Sequence, residues 1–163
     1  MKLNRVNIRR VVKGVLIGLA VAFVLAQFVP VDRTNPPVET RVDAPAEVVA
    51  VLERACYDCH SNETVWPAYS RIAPISWLVA YDVNEGREAV NYSTWNRYTA
   101  EERAELREET WEELAEGEMP LKLYPLLHTD ARLSQADKDV VRAWAGDGER
   151  SGAERHEEDD DDR

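Results

Sequence analysis

The chain is poor in the residues from which many functional sites are built. It contains two cysteines, two methionines and seven glycines among its 163 residues, and only three histidines. We find no glycine-rich phosphate loop, no Ser/His/Asp arrangement and no paired-carboxylate site above the background of the composition. Alternating strand patterns and internal repeats are also missing from the sequence, which therefore predicts an all-helical fold.

Negative charge dominates the chain, whose formal net charge is −11. An acidic body repels phosphates, so DNA and RNA are not expected partners. The same acidity would attract a redox partner protein with a basic patch, although solubility alone would also account for it. The tail at 147–163 carries nine acidic residues and little apolar content to fold around, so we expect it to be disordered.

An uncharged, largely apolar segment follows a basic N-terminus. Residues 14–31 contain no charged side chain over 18 positions, close to the minimum for a membrane-spanning helix. We therefore predict that residues 1–31 form a single-pass anchor in a bacterial inner membrane, with the N-terminus in the cytoplasm. A signal peptide cleaved after Ala26 is the alternative. Either topology places the remaining chain in the periplasm, beginning with a proline-rich linker at 32–44.

Both cysteines lie in one short motif, Cys56-Tyr57-Asp58-Cys59-His60. Cys-x-x-Cys-His is the attachment signature of a c-type haem. A helix would place the thiols one turn apart on one face, where each could form a thioether bond to the same porphyrin. The histidine could then ligate the iron. A redox-active disulfide would use the same cysteines, but the βαβ pattern typical of such proteins is missing. A zinc site would also use them, but the sequence offers too few further ligands to complete it.

Helical periodicity and capping patterns surround this motif. They predict helices at about 46–56, 74–90, 100–116 and 134–145, joined by long loops. These elements define a haem-binding domain at 45–146. Its core is modest, so its folding should depend on the bound porphyrin.

The second axial position of the iron has two candidate ligands. Met119, the only methionine besides the initiator, lies beside Pro120, which restrains the neighbouring backbone. A thioether ligand would favour reduced iron and raise the potential. His128 is the alternative distal ligand and would give a bis-histidine haem of lower potential. A vacant position would instead admit small gases or peroxide.

Three more side chains near the motif are candidates for contact with the cofactor. Tyr69 and Trp77 can pack against it, as aromatic side chains commonly do in cores. Arg71 can pair with a haem propionate, because guanidinium binds carboxylate well. A surface arginine without such a role is the alternative for Arg71.

Three segments together resemble the bacterial haem-binding domain family: 56–64 (CYDCHSNET), 66–77 (WPAYSRIAPISW) and 117–121 (GEMPL). Proteins of that family are small, cytochrome c-like and often carry an N-terminal membrane segment. The resemblance implies a small all-α haem domain of short helices and long loops, preceded by one transmembrane helix. It also implies that the haem is bound by Cys56, Cys59 and His60, with Met119 as the distal ligand.

These observations favour electron transfer by a membrane-tethered protein that binds one covalent haem c. Two strong axial ligands would keep the iron six-coordinate, so we expect an electron carrier rather than an enzyme. A haem-based gas or redox sensor, or a peroxidase-like protein, is the alternative and needs an open sixth iron position. A non-haem exported protein with a disulfide between Cys56 and Cys59 is the third interpretation.

Overall fold

The computed structural model describes residues 5–146, with side chains from residue 8 onward. This part of the chain is all-helical, as the sequence predicts, and Thr40 and Thr94 form an isolated bridge rather than a strand. The tail for which we predict disorder lies outside the described residues. The α-helices within 5–146 are α1 (Arg5–Ala26), α2 (Ala46–Ala55), α3 (Tyr57–His60), α4 (Ile75–Ala89), α5 (Ala100–Glu116), α6 (Tyr124–Leu127) and α7 (135–146).

The first helix corrects the prediction of a transmembrane anchor. Among the described residues, no helix is both long enough and apolar enough to cross a membrane. α1 has basic residues in its first half and ends at Ala26, so its uncharged part runs for only 13 residues from Gly14. At about 1.5 Å per residue this part spans about 20 Å, against about 30 Å of bilayer hydrocarbon. The predicted span to Val31 is wrong because the chain leaves the helix after Ala26.

The described residues divide into two compact units. The first comprises residues up to 34 together with 66–82, and the second comprises 35–65 together with the residues from 83 onward. α4 therefore contributes its first turns to one unit and its last turns to the other.

In the first unit, side chains after α1 bind the backbone of the segment before α4. The Gln27 side chain donates to the Ala73 carbonyl at 3.3 Å and accepts from the Ala73 N–H at 3.0 Å. Arg33 donates to the Ser70 carbonyl at 3.3 Å. Backbone groups in an irregular segment lack the partners that a regular helix or sheet would provide, and these side chains supply them.

The second unit contains the main hydrophobic core, and α2 provides one side of it. The buried residues of α2 recur at helical spacing, which gives the helix one apolar face: Val48, Val51, Leu52 and Ala55. This face packs in a cluster with side chains from the loop after α4, from α5 and from α7: Val90, Tyr92, Trp95, Leu114, Val141 and Trp144. The end of α2, where the Cys-x-x-Cys-His motif begins, is therefore fixed by the core.

α5 begins and ends as its sequence signals predict. The Thr99 side chain accepts from the Glu102 N–H at 3.2 Å, and the Glu102 carboxylate accepts from the Thr99 N–H at 2.7 Å. This capping box satisfies backbone donors at the start of the helix. Gly117 ends the helix with a φ of 77°, which glycine adopts without a steric penalty.

An ion pair joins α2 to α7 beside this core. Arg54 contacts the Asp137 carboxylate at 2.5 Å and also donates to the carbonyls of Asp130 and Arg132. Hydrogen bonds from Arg54 and Ser134 lower the pKa of Asp137 from 3.8 to about 2. The pair therefore adds stability above about pH 4 and loses that contribution as the pH falls toward 2.

We expect Asp137→Asn to reduce the free energy of unfolding at neutral pH by about 1 kcal/mol, because the pair is partly exposed. The difference from the wild type should shrink between pH 4 and pH 2, where the wild-type carboxylate becomes protonated. Urea unfolding at several pH values measures this difference. Asp139→Asn, on the exposed side of the same helix, is the control. A difference that stays constant down to pH 2 would contradict the prediction.

Candidate functional site

The motif forms a single turn of helix directly after α2. Cys56 follows the last residue of α2, and its carbonyl accepts from the N–H groups of Cys59 at 3.1 Å and His60 at 2.9 Å. Both cysteines are in the thiol form and half-buried. The turn therefore brings two sulfurs and an imidazole together on one short, fixed stretch of backbone.

The His60 imidazole is oriented by backbone carbonyls at the end of α4. Its Nδ1 lies 3.3 Å from the Val90 carbonyl oxygen. A carbonyl only accepts, so Nδ1 carries the hydrogen and Nε2 keeps the lone pair. Burial lowers the pKa of His60, and hydrogen bonds to the Val90 and Gly86 carbonyls act in the opposite direction. The result is a neutral imidazole in the form that ligates a metal through Nε2.

α4 packs against the motif at Gly86, where a side chain would not fit. A Cβ at Gly86 would lie 2.8 Å from the Cys59 carbonyl oxygen and 3.0 Å from the Cys59 Cβ. The two backbones can approach this closely only because position 86 is glycine. From the sequence alone Gly86 only weakens a helix, and nothing in the sequence shows that it contacts the motif.

The residues after the motif are fixed by side chains that the sequence did not single out. Ser61 Oγ donates to the Tyr57 carbonyl at 2.7 Å. Arg87, one residue after Gly86, donates to the Ser61 carbonyl at 2.8 Å and to Thr64 Oγ1 at 2.9 Å. A charged donor that bridges two such acceptors forms strong hydrogen bonds. These contacts give the Ser-Asn-Glu-Thr segment a structural role beside the motif.

A buried polar network joins the motif to the loop after α4. Asn91 donates to the Asn62 side-chain oxygen at 2.8 Å and accepts from the Ser93 N–H at 2.9 Å. Ser93 Oγ accepts from the Asn62 N–H at 3.0 Å. All three side chains are buried, where an unpaired polar group would be costly, and these bonds supply partners. The Tyr92 N–H adds a bond to the His60 carbonyl at 2.8 Å.

α6 contacts the motif from a distant part of the sequence. The Tyr124 hydroxyl donates to the Asp58 carboxylate at 2.6 Å. The Tyr124 ring stacks on the His128 imidazole, with centroids 4.3 Å apart and planes 9° from parallel. Sequence patterns predict only a loop here, although Pro125 suits the first turn of a helix.

The other predicted site residues are divided between the two units. Met119 lies half-buried in the turn after α5, in the same unit as the motif, and its N–H donates to the Glu113 carbonyl at 3.1 Å. Tyr69, Arg71 and Trp77 lie in the first unit. Tyr69 is half-buried, whereas Arg71 and Trp77 are exposed. Arg71 lines a pocket of about 280 Å³ in that unit.

The Cys56 thiol is poorly suited to nucleophilic redox chemistry in this environment. Burial raises the pKa of Cys56 to about 12, and the neighbouring Cys59 acts in the same direction. A redox-active disulfide needs a thiolate of low pKa. In the range 5–146, no group of three or more His, Cys, Asp or Glu side chains is placed to hold a metal ion. Neither the disulfide nor the zinc alternative gains support from this geometry.

The donor set instead fits a haem. Two thiols on one helical turn are available for thioether bonds, and the adjacent histidine is held in the tautomer that leaves Nε2 for iron. The profile of the family described as haem-binding domain matches residues 21–147. No curated protein and no solved structure matches the chain. Because the match covers most of the chain, the protein belongs to the haem-binding domain family.

We expect Gly86→Ala to destabilise the protein and to reduce its haem content. The new Cβ would press on the Cys59 backbone, and overpacking of this kind costs about 1–3 kcal/mol, more than the gain of about 1 kcal/mol in helix propensity. Chemical denaturation and the ratio of Soret to protein absorbance measure the two effects.

Gly146→Ala is the matched control, since a Cβ there meets nothing within 4 Å. This variant should match or slightly exceed the wild type in stability. Equal stability and haem content in both variants would show that α4 does not depend on the close approach at Gly86.

Proposed function

We propose that the chain binds one haem c covalently through Cys56 and Cys59, with His60 as the proximal ligand, and acts as an electron carrier. One observation carries the proposal. The Val90 carbonyl fixes the His60 imidazole in its Nε2-ligating tautomer, directly after the second thiol.

When bound, haem supplies the one-electron chemistry of its iron. The chain holds and orients it. The thiols set the position of the porphyrin, and the half-buried site restricts access of water. The hydrogen bond from Nδ1 to Val90 raises the basicity of His60 as a ligand and fixes the plane of its ring.

We propose Met119 rather than His128 as the distal ligand. Both side chains belong to the same unit as the motif and are half-buried, and each backbone N–H donates to a carbonyl, Met119 to Glu113 and His128 to Tyr124. His128 is already stacked on Tyr124. Recruiting His128 to iron would sacrifice that stacking, which is worth about 1 kcal/mol for aromatic pairs. Methionine ligation also suits an electron carrier of raised potential.

The remaining interactions in the proposal concern the periphery of the cofactor and the partner. That Tyr69 and Trp77 pack against the cofactor, and that Arg71 pairs with a propionate, stay predictions from the sequence. A redox partner with a basic patch would approach an acidic surface, for which α5 offers a row of exposed carboxylates. These exposed residues are Glu101, Glu105, Glu108, Glu109, Glu112 and Glu116.

Covalent haem attachment to Cys-x-x-Cys-His takes place outside the cytoplasm in bacteria, so we propose that the haem-binding part of the chain is exported. The basic residues before Gly14 and the apolar stretch that follows would direct this export.

The attachment chemistry is tested by haem staining after denaturing electrophoresis. The wild type, produced in a host that matures c-type cytochromes, should stain at its own mass, and Cys56→Ser with Cys59→Ser should not. Thioether bonds survive denaturation, whereas ligation through His60 alone does not. A wild type that does not stain would contradict the proposal. A double variant that still stains would show that these thiols are not the attachment sites.

Electron transfer and distal ligation are tested by carbon monoxide binding and redox titration. The reduced wild type should resist carbon monoxide. Met119→Ala should bind it readily and should have a lower potential, because the soft sulfur ligand is lost. His128→Ala serves as the control and should leave both properties unchanged. Ready binding of carbon monoxide by the wild type would favour the sensor or peroxidase-like alternative.

A further inference from the structure

A cluster of exposed leucines lies in and around α6. Leu121 and Leu123 are 42% and 71% exposed, and Leu126 and Leu127 are 65% and 66% exposed. Single exposed leucines are common on protein surfaces, but four within seven residues form an apolar patch that calls for a partner. We call Leu123, Leu126 and Leu127 the leucine face.

The helical turn places these three side chains together. At about 100° per residue, positions 123, 126 and 127 fall within one arc of about 100°. Tyr124 and His128 occupy the neighbouring arc, where they stack on each other. The leucine face is therefore one continuous surface, separate from the aromatic side of the same turn.

The aromatic side ties this surface to the attachment motif. Tyr124 donates to Asp58, which lies between Cys56 and Cys59 in the chain. The leucine face thus begins next to a side chain that contacts the motif itself. All of these residues belong to the second compact unit.

We propose that the leucine face is an apolar wall of the haem site and contacts the porphyrin ring. This assignment rests on the proposed function, because it requires haem at Cys56 and Cys59. The porphyrin supplies the apolar area that the polypeptide leaves without a partner at these leucines. Contact with the ring would exclude water from its edge. The surroundings of the iron and its ligands would then be less polar, which changes the redox potential.

The test compares solvent access at Leu123, Leu126 and Leu127 with and without haem. Full-length wild type carrying haem and the haem-free variant Cys56→Ser/Cys59→Ser are exposed to hydroxyl radicals, and side-chain oxidation is read by mass spectrometry. We expect oxidation of the leucine face to fall severalfold in the haem-bound protein. Val38, an exposed aliphatic residue of the second unit outside the motif and α6, is the internal control and should not change.

The outcomes separate the two levels of the proposal. If the wild type carries no covalent haem, the proposed function fails. If haem is attached and the leucine face is oxidised as strongly as in the haem-free variant, the wall assignment fails while the function stands. Protection that follows protein concentration rather than haem would identify a contact between copies of the chain and would also overturn the assignment.

A substitution provides the second measurement. Leu123→Gln with Leu127→Gln should lower the Soret circular dichroism per haem several-fold, because a chiral contact with the ring is lost. Val38→Gln should leave that signal unchanged. Far-UV circular dichroism of the same samples verifies that both variants are folded. A folded double variant with an unaltered Soret signal would contradict the proposal.

Discussion

The orientation of one imidazole depends on how closely α4 approaches the motif. The Val90 carbonyl can bind His60 only because Gly86, one turn earlier in α4, allows the helix to touch the Cys59 backbone. Arg87 then reaches the segment after the motif. Gly86 and Arg87 of α4, with Val90 directly after it, therefore set the distance, the tautomer and the direction of the His60 imidazole. The residues that hold a ligating side chain in place therefore determine its geometry as much as the choice of ligating residue does.

Local signals in the sequence predict the helices well. The capping box at Thr99, the stop at Gly117 and the apolar spacing of α2 act within one or two turns, so the sequence is sufficient to read them. The motif is equally local, because it is recognised from the spacing of Cys56 and Cys59. The all-helical class follows from these elements.

The rest depends on contacts between distant residues. The contacts of Gly86 with Cys59, of Arg87 with Thr64 and of Asn91 with Asn62 join residues 23 to 29 positions apart, and no local pattern reveals them. α6 is a single turn that contains a proline, too short for helical periodicity to predict. The anchor prediction is wrong for a related reason: hydropathy measures the length of an apolar stretch, but not the residue at which its helix ends.

The hydrogen bond between Tyr124 and Asp58 joins residues 66 positions apart. Contacts of such long separation form late, because a large loop must close before they contribute to stability. Asp58 therefore lacks this partner until the C-terminal half of the chain has docked on the motif. The bond between a tyrosine and the aspartate at the centre of the motif makes the surroundings of the two cysteines complete only once residues from both halves of the sequence have come together.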